Sequence, residues 1–166
     1  MIEISGRLLD KFDGDSSTAR DLNSIAAALA TKDSTLWGAA AEPEARERLN
    51  WIDLPKTSRD LLPQLDALSA WARSKNLSNY ILCGMGGSSL APEVIAKTFG
   101  KKLTILDTTD PDQIRLAIPE NLSETLIIIG SKSGSTIETA SQKALFEKLF
   151  TDADLEPREH FVIVTD

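Results

Sequence analysis

The sequence predicts an α/β protein: a doubly wound parallel sheet preceded by a helical extension. Three observations carry this expectation. Four short, nearly continuous apolar runs, at about 80–83, 103–106, 125–129 and 161–165, alternate with helical segments from Ser78 onward. Apolar strands alternating with helices form parallel sheets covered on both faces. Two of these runs end in turns rich in glycine and serine, within "YILCGMGGSSLAPEVI" (Tyr80 to Ile95) and "TLIIIGSKSGSTIETA" (Thr125 to Ala140). Before residue 77 the chain offers no convincing strand beyond Ile2 to Leu8 and reads as helix. The expected division is therefore 1–76 as an extension and 77–166 as the sheet domain.

In the extension, Thr18 to Thr31 places Leu22, Ile25, Ala26 and Leu29 on one face at helical spacing. A loop with Trp37 and Gly38 follows, then a short helix opening at Pro43, a favoured first-turn residue. Thr57 to Asn76 reads as a helix with Leu61, Leu65, Leu68 and Trp71 as its buried stripe and a break at Pro63. Trp37, Trp51 and Trp71 are expected in packing roles. In the sheet domain, helices are expected near 90–99, 111–117 and 136–150. The chain reaches Asp166 at the expected end of its fourth strand. A doubly wound domain normally continues from there, so the chain reads as part of a larger protein.

Composition narrows the class. Hydrophobic content of 42% and charged content of 26% are those of a soluble globular protein. No apolar run approaches the roughly 18 residues of a membrane span. The start, "MIEISGRLLDKFDGD", lacks the basic-then-apolar pattern of a signal peptide. A net charge of −7 argues against nucleic-acid and membrane surfaces as partners. The single cysteine, Cys83, excludes an internal disulfide, fits a cytoplasmic location and reads as inert packing in a buried strand. Asp13-Gly14-Asp15 is a turn and not a calcium loop, since its glycine is misplaced for one. No metal is expected.

The two loops carry the chemistry. A strand, a tight turn and a helix N-terminus bind anions through free amides and the positive end of the helix dipole. A strand order of 2-1-3-4 makes the first and third strands neighbours and puts the reversal, where ligands sit in open sheets, between them. Gly84, Gly86 and Gly87 permit close backbone approach, and Ser88 offers a hydroxyl and an amide. Ser131, Lys132, Ser133, Gly134, Ser135 and Thr136 surround a dianion with donors and one cation. Ser135 and Glu138 also fit a capping box, and Asp110 is placed to cap the helix at Pro111. The pattern points to a phosphorylated small molecule. A dinucleotide reading stays open, because Gly84-Met85-Gly86-Gly87-Ser88-Ser89 begins like GxGxxG and Asp107 lies where a ribose would be bound.

"GMGGSSLAPEV" (Gly84 to Val94) and "SKSGSTIET" (Ser131 to Thr139) resemble the two N-terminal signatures of the phosphoglucose isomerases, within the sugar isomerase (SIS) domain superfamily. The flanking "LWGAAAEPEARERLNWIDLP" (Leu36 to Pro55) resembles the isomerase part of bacterial bifunctional transaldolase/phosphoglucose isomerase proteins. The resemblance covers about residues 35–166. It implies an incomplete SIS-type sheet and interconversion of glucose 6-phosphate and fructose 6-phosphate through a cis-enediol, without cofactor. Gly87 and Ser88 would touch the sugar, and Ser131 to Thr136 the phosphate. The common eukaryotic form of the second loop reads SKTFTT. Here Ser133-Gly134-Ser135 replaces its middle and keeps amide and hydroxyl donation.

The family's glutamate base, ring-opening histidine and late lysine match no segment here, so no catalytic residue is assigned to this chain. His160 is expected at the surface or an edge, and Glu138 as a cap. The chain alone is expected to show no turnover. The resemblance leaves room for a homodimer in the longer protein. Two other functions compete with it: a non-catalytic SIS module that senses a sugar phosphate, and an NAD-dependent oxidoreductase.

Overall fold

The computed structural model describes residues 16–165. The expected strand at Ile2 to Leu8, the turn at Asp13 to Asp15, and Asp166 lie outside them. The chain divides into two compact units, Met1–Pro63 and Gln64–Asp166.

In the first unit, α1 (Ser17–Ala30) starts where the Ser16 side chain accepts the Ala19 amide. α2 (Glu42–Arg48) has Pro43 in its first turn, and i,i+4 ion pairs join Glu42 to Arg46 and Glu44 to Arg48. The very short α3 (Leu54–Thr57) follows, and Lys32 meets Asp53 at 2.5 Å. Packing here differs from expectation. Leu22, Ile25, Trp37 and Trp51 are exposed, and among this unit's described residues only Ala19 and Leu49 are buried. Beyond α1 the elements run four to seven residues, too short to present a continuous apolar stripe.

The helix expected over Thr57 to Asn76 is interrupted. A 3-10 turn occupies Ser58–Leu61, and α4 (Leu62–Ser74) begins one residue before Pro63. A proline there sacrifices no hydrogen bond, because first-turn amides have no intrahelical partner. Leu61 and Leu65 are exposed, contrary to the expected stripe. Only the end of α4 packs: Ala72 joins Leu77 and Leu126 in a small cluster flanked by Trp71, Tyr80 and Val162.

The second unit holds the sheet. β1 (Asn79–Gly84), β2 (Thr104–Leu106), β3 (Thr125–Gly130) and β4 (Phe161–Val164) are all parallel, in the order β2-β1-β3-β4. The reversal falls between β1 and β3, as expected. The helices are α5 (Gly87–Thr98), α6 (Pro111–Ala117) and α7 (Ile137–Asp152). On one face, Phe146 and Phe150 of α7 close over Ile81, Cys83, Leu106, Ile127 and Ile129. Cys83 is fully buried, and that burial pushes its thiol up to about 12.

His160 is buried, not at the surface. Its carbonyl accepts the Ile127 amide at 2.8 Å, where the β3–β4 ladder begins. The ring turns inward, donates from Nδ1 to the Thr125 carbonyl at 2.9 Å, and stacks on Phe150. It sits at the N-terminal end of β4, the end away from the two loops.

Candidate functional site

The register builds the site. β1 and β3 run abreast from Asn79↔Thr125 to Gly84↔Gly130, so both glycine-serine loops leave the sheet side by side. Gly84 is required there by a close approach. A Cβ on it would stand 3.1 Å from the Gly130 carbonyl oxygen and 3.2 Å from the Ser88 Cβ. Ser88 therefore sits over the point where the two strands end.

The first loop is short. Gly86 adopts φ +57 and opens α5, with the Ser89 and Leu90 amides and the Ser89 hydroxyl closing on its carbonyl. That positive φ favours glycine. The Gly86 and Gly87 amides bond to no protein group among the described residues. Gly87 is exposed and Ser88 half-buried.

The second loop is longer. The buried Ser131 gives its amide to the Val164 carbonyl at 3.0 Å and its hydroxyl to Thr136 Oγ1 at 3.1 Å. It braces the loop against the end of β4. The Gly134 amide closes a turn onto the Ser131 carbonyl at 3.2 Å. The hydroxyls of Ser133 and Ser135 lie 2.9 Å apart. Lys132, Ser133, Gly134 and Ser135 are exposed and Thr136 is half-buried. The amides of Lys132, Ser133 and Thr136 bond to no protein group among the described residues. The capping box expected from Ser135 and Glu138 does not form. Thr136 is the N-cap, no side chain caps α7, and the Ser135 hydroxyl is engaged with Ser133. The first-turn amides of α7 thus keep their positive potential for an anion.

A cavity of about 340 Å³ opens beside the loops, within the second unit. Leu82, Pro92, Ile128 and Val164 supply apolar walls, and Ser88, Ser131, Lys132 and Thr165 supply the polar part. Sequence reasoning missed Val164 and Thr165. The signal was present in the strand order, because β4 ends with Val164 paired to Gly130, at the mouth of the second loop. Asp107 follows β2 directly, one residue past the Cys83↔Leu106 pair, at the loop-bearing end of the sheet. Asp110 caps α6 as expected, accepting the amides of Asp112 and Gln113. Among the described residues no cluster of histidine, cysteine or carboxylates could hold a metal, and no helix is long and apolar enough to cross a membrane.

No protein-family model matches the chain. Individual relatives do. A glucose-6-phosphate isomerase of Cyanothece sp. is 30% identical over 155 residues, which is 77% of this chain and 29% of that protein. One from Thermus thermophilus is 32% identical over 134 residues, covering 76% of this chain and 31% of its own length. Among solved structures, a glucose-6-phosphate isomerase from Chlamydia trachomatis superimposes with a TM-score of 0.63 and 28% identity, over 83% of this chain and 26% of that one. The chain thus spans about a third or less of the length of these relatives. With its sheet order and both loop motifs in place, the chain belongs to the phosphoglucose isomerase family.

Proposed function

We propose that this chain is the substrate-phosphate-binding portion of a glucose-6-phosphate isomerase, which interconverts glucose 6-phosphate and fructose 6-phosphate. The observation that supports it best is the Gly84↔Gly130 pairing, which brings two amide-rich loops to one reversal point. The amides of Lys132, Ser133 and Thr136, unpaired among the described residues, the loop hydroxyls, the Lys132 ammonium and the α7 N-terminus take the phosphate dianion. Gly87 and Ser88 take the sugar, since nothing stands within 4 Å of the place a Gly87 Cβ would occupy.

Moving a proton between C1 and C2 needs a carboxylate base, and opening the ring needs a separate acid–base group. His160 lies at the opposite end of the sheet and bonds to Thr125. Glu138 lies in the first turn of α7. We assign neither to catalysis and place the base outside this chain, so the chain alone binds without turnover. We further read residues 1–76 as a helical extension and 77–166 as the start of an SIS domain. On this reading the protein is cytoplasmic, uses no cofactor, and meets no nucleic acid or membrane. The longer enzyme has room to form a homodimer.

Thermal unfolding of the chain with fructose 6-phosphate, glucose 6-phosphate, inorganic phosphate or NAD tests the reading. Both sugar phosphates should raise the midpoint more than phosphate does, because ligand binding to the native state alone stabilises it. Stabilisation by NAD alone would point to an oxidoreductase and overturn the proposal.

A further inference from the structure

The inward stripe of α7 changes character along its length. Phe150 and Phe146 are fully buried in the core, but the next two inward positions are Gln142, 2% exposed, and Thr139, 1% exposed. A buried side-chain amide is unfavourable unless it is paired. Here the pairing is partial. Gln142 Nε2 donates to the Thr108 carbonyl at 2.8 Å, while Gln142 Oε1 and Thr139 Oγ1 have no partner among the described residues. A methionine or leucine at 142 would continue the stripe without stranded polar atoms. Departures from core patterning of this kind gather at functional sites.

The Gln142 bond reaches the segment between β2 and α6. That segment is braced internally, because the Asp110 amide donates to Thr108 Oγ1 at 3.0 Å and Asp110 Oδ1 accepts the Gln113 amide at 2.9 Å. Its first residue, Asp107, directly follows the Leu106 that pairs with Cys83, so the segment leaves the sheet at the same end as the first loop. Gln142 therefore ties a third strand-end segment to the helix whose N-terminus meets the phosphate.

We propose that Gln142 is a positioning residue for sugar recognition. Through the Thr108 carbonyl it holds Asp107–Thr109 as a third wall of the crevice, in fixed relation to the phosphate end of α7. The proposal rests on the sugar-phosphate reading above. Phosphate alone meets only the second loop and α7, so its affinity is independent of this bond. A sugar phosphate engages the wall as well, and loses affinity when the wall loosens.

The test is calorimetric titration of the chain with fructose 6-phosphate and with inorganic phosphate, in the wild type, Gln142→Met and Gln142→Glu. Methionine conserves volume and fills the stripe. Gln142→Met should weaken fructose 6-phosphate about 10-fold through lost preorganisation and leave phosphate within about twofold. Gln142→Glu should weaken the sugar phosphate further at pH 8, where a carboxylate faces the Thr108 carbonyl. Measured against wild type at each pH, that variant should recover on acidification, because a protonated carboxyl can donate to the same carbonyl. A purely structural residue would not give this pH rescue. Equal weakening of both ligands, an unchanged ratio, or no recovery in acid would overturn the positioning role while leaving the sugar-phosphate reading intact. A wild type that binds phosphate but not fructose 6-phosphate would overturn both.

Discussion

The loops after β1 and β3 occupy equivalent places in the sheet yet close in different ways. Two residues, Met85 and Gly86, separate β1 from α5, whereas six, Ser131 to Thr136, separate β3 from α7. The short loop leaves room for little but backbone, one positive-φ glycine and Ser88 perched over the Gly84–Gly130 pair. The long loop has room for hydroxyls, for Lys132, the one charged side chain lining the cavity among the described residues, and for an uncapped helix start. One loop offers close approach to a neutral group. The other offers charge and donors to an anion. The difference supports a division of labour in which the first meets the sugar and the second the phosphate.

The sharpest way to break this division is to put charge into the second loop. Ser133→Asp should reduce phosphate and fructose 6-phosphate binding by roughly 100-fold or more, since like charges directly opposed at a site cost several kcal/mol. Retained binding in a titration would mean that the phosphate lies elsewhere. In the first loop, Gly84→Ala and Gly87→Ala should separate fold from recognition. The Cβ at 84 meets backbone at 3.1 Å, so thermal or urea unfolding should show a loss of about 1–3 kcal/mol. Gly87→Ala should leave stability nearly unchanged and weaken the sugar phosphate while sparing inorganic phosphate.

Beneath both loops, Cys83 reports on the strand that carries the first. Its thiol rises from 9.0 to about 12 because burial disfavours the thiolate. The unfolded chain therefore releases this proton first, and the native state loses stability as pH climbs from about 9. The slope is about 1.4 kcal/mol per pH unit until the native value is reached. Comparison with Cys83→Ala isolates it: urea midpoints of the two proteins should converge above pH 9, and parallel curves would show that the thiol does not control the slope. The smallest effect is expected at Lys132. Its exposed ammonium is screened by salt, so Lys132→Ala should cost about 3- to 10-fold in phosphate affinity at low ionic strength and less at 0.5 M salt.

Much of this arrangement was legible in the residues. Continuous apolar runs and two glycine-serine breaks yielded the strands, their parallel order and the neighbouring loops, because period and turn chemistry are local signals. What remained hidden depends on tertiary partners. Leu61 and Leu65 have helical spacing, but only the last turn of α4 reaches the sheet. His160 reads as an edge residue until the β3–β4 ladder carries it under Phe150. Ser135 and Glu138 have capping spacing, but Ser133 claims the Ser135 hydroxyl. Of the candidate site, the loop residues stand out in the sequence, whereas Thr165 and the proposed positioning residue Gln142 come from elements whose position only the assembled sheet defines.

The central claim is that both loops serve one ligand. Backbone amide resonances of the chain, followed during titration with fructose 6-phosphate, test it most directly. The account predicts that Gly86, Gly87 and Ser88 shift together with Lys132, Ser133 and Thr136 along one saturation curve, and that inorganic phosphate moves only the second group. Shifts confined to one loop with fructose 6-phosphate, or two groups saturating at different concentrations, would contradict it.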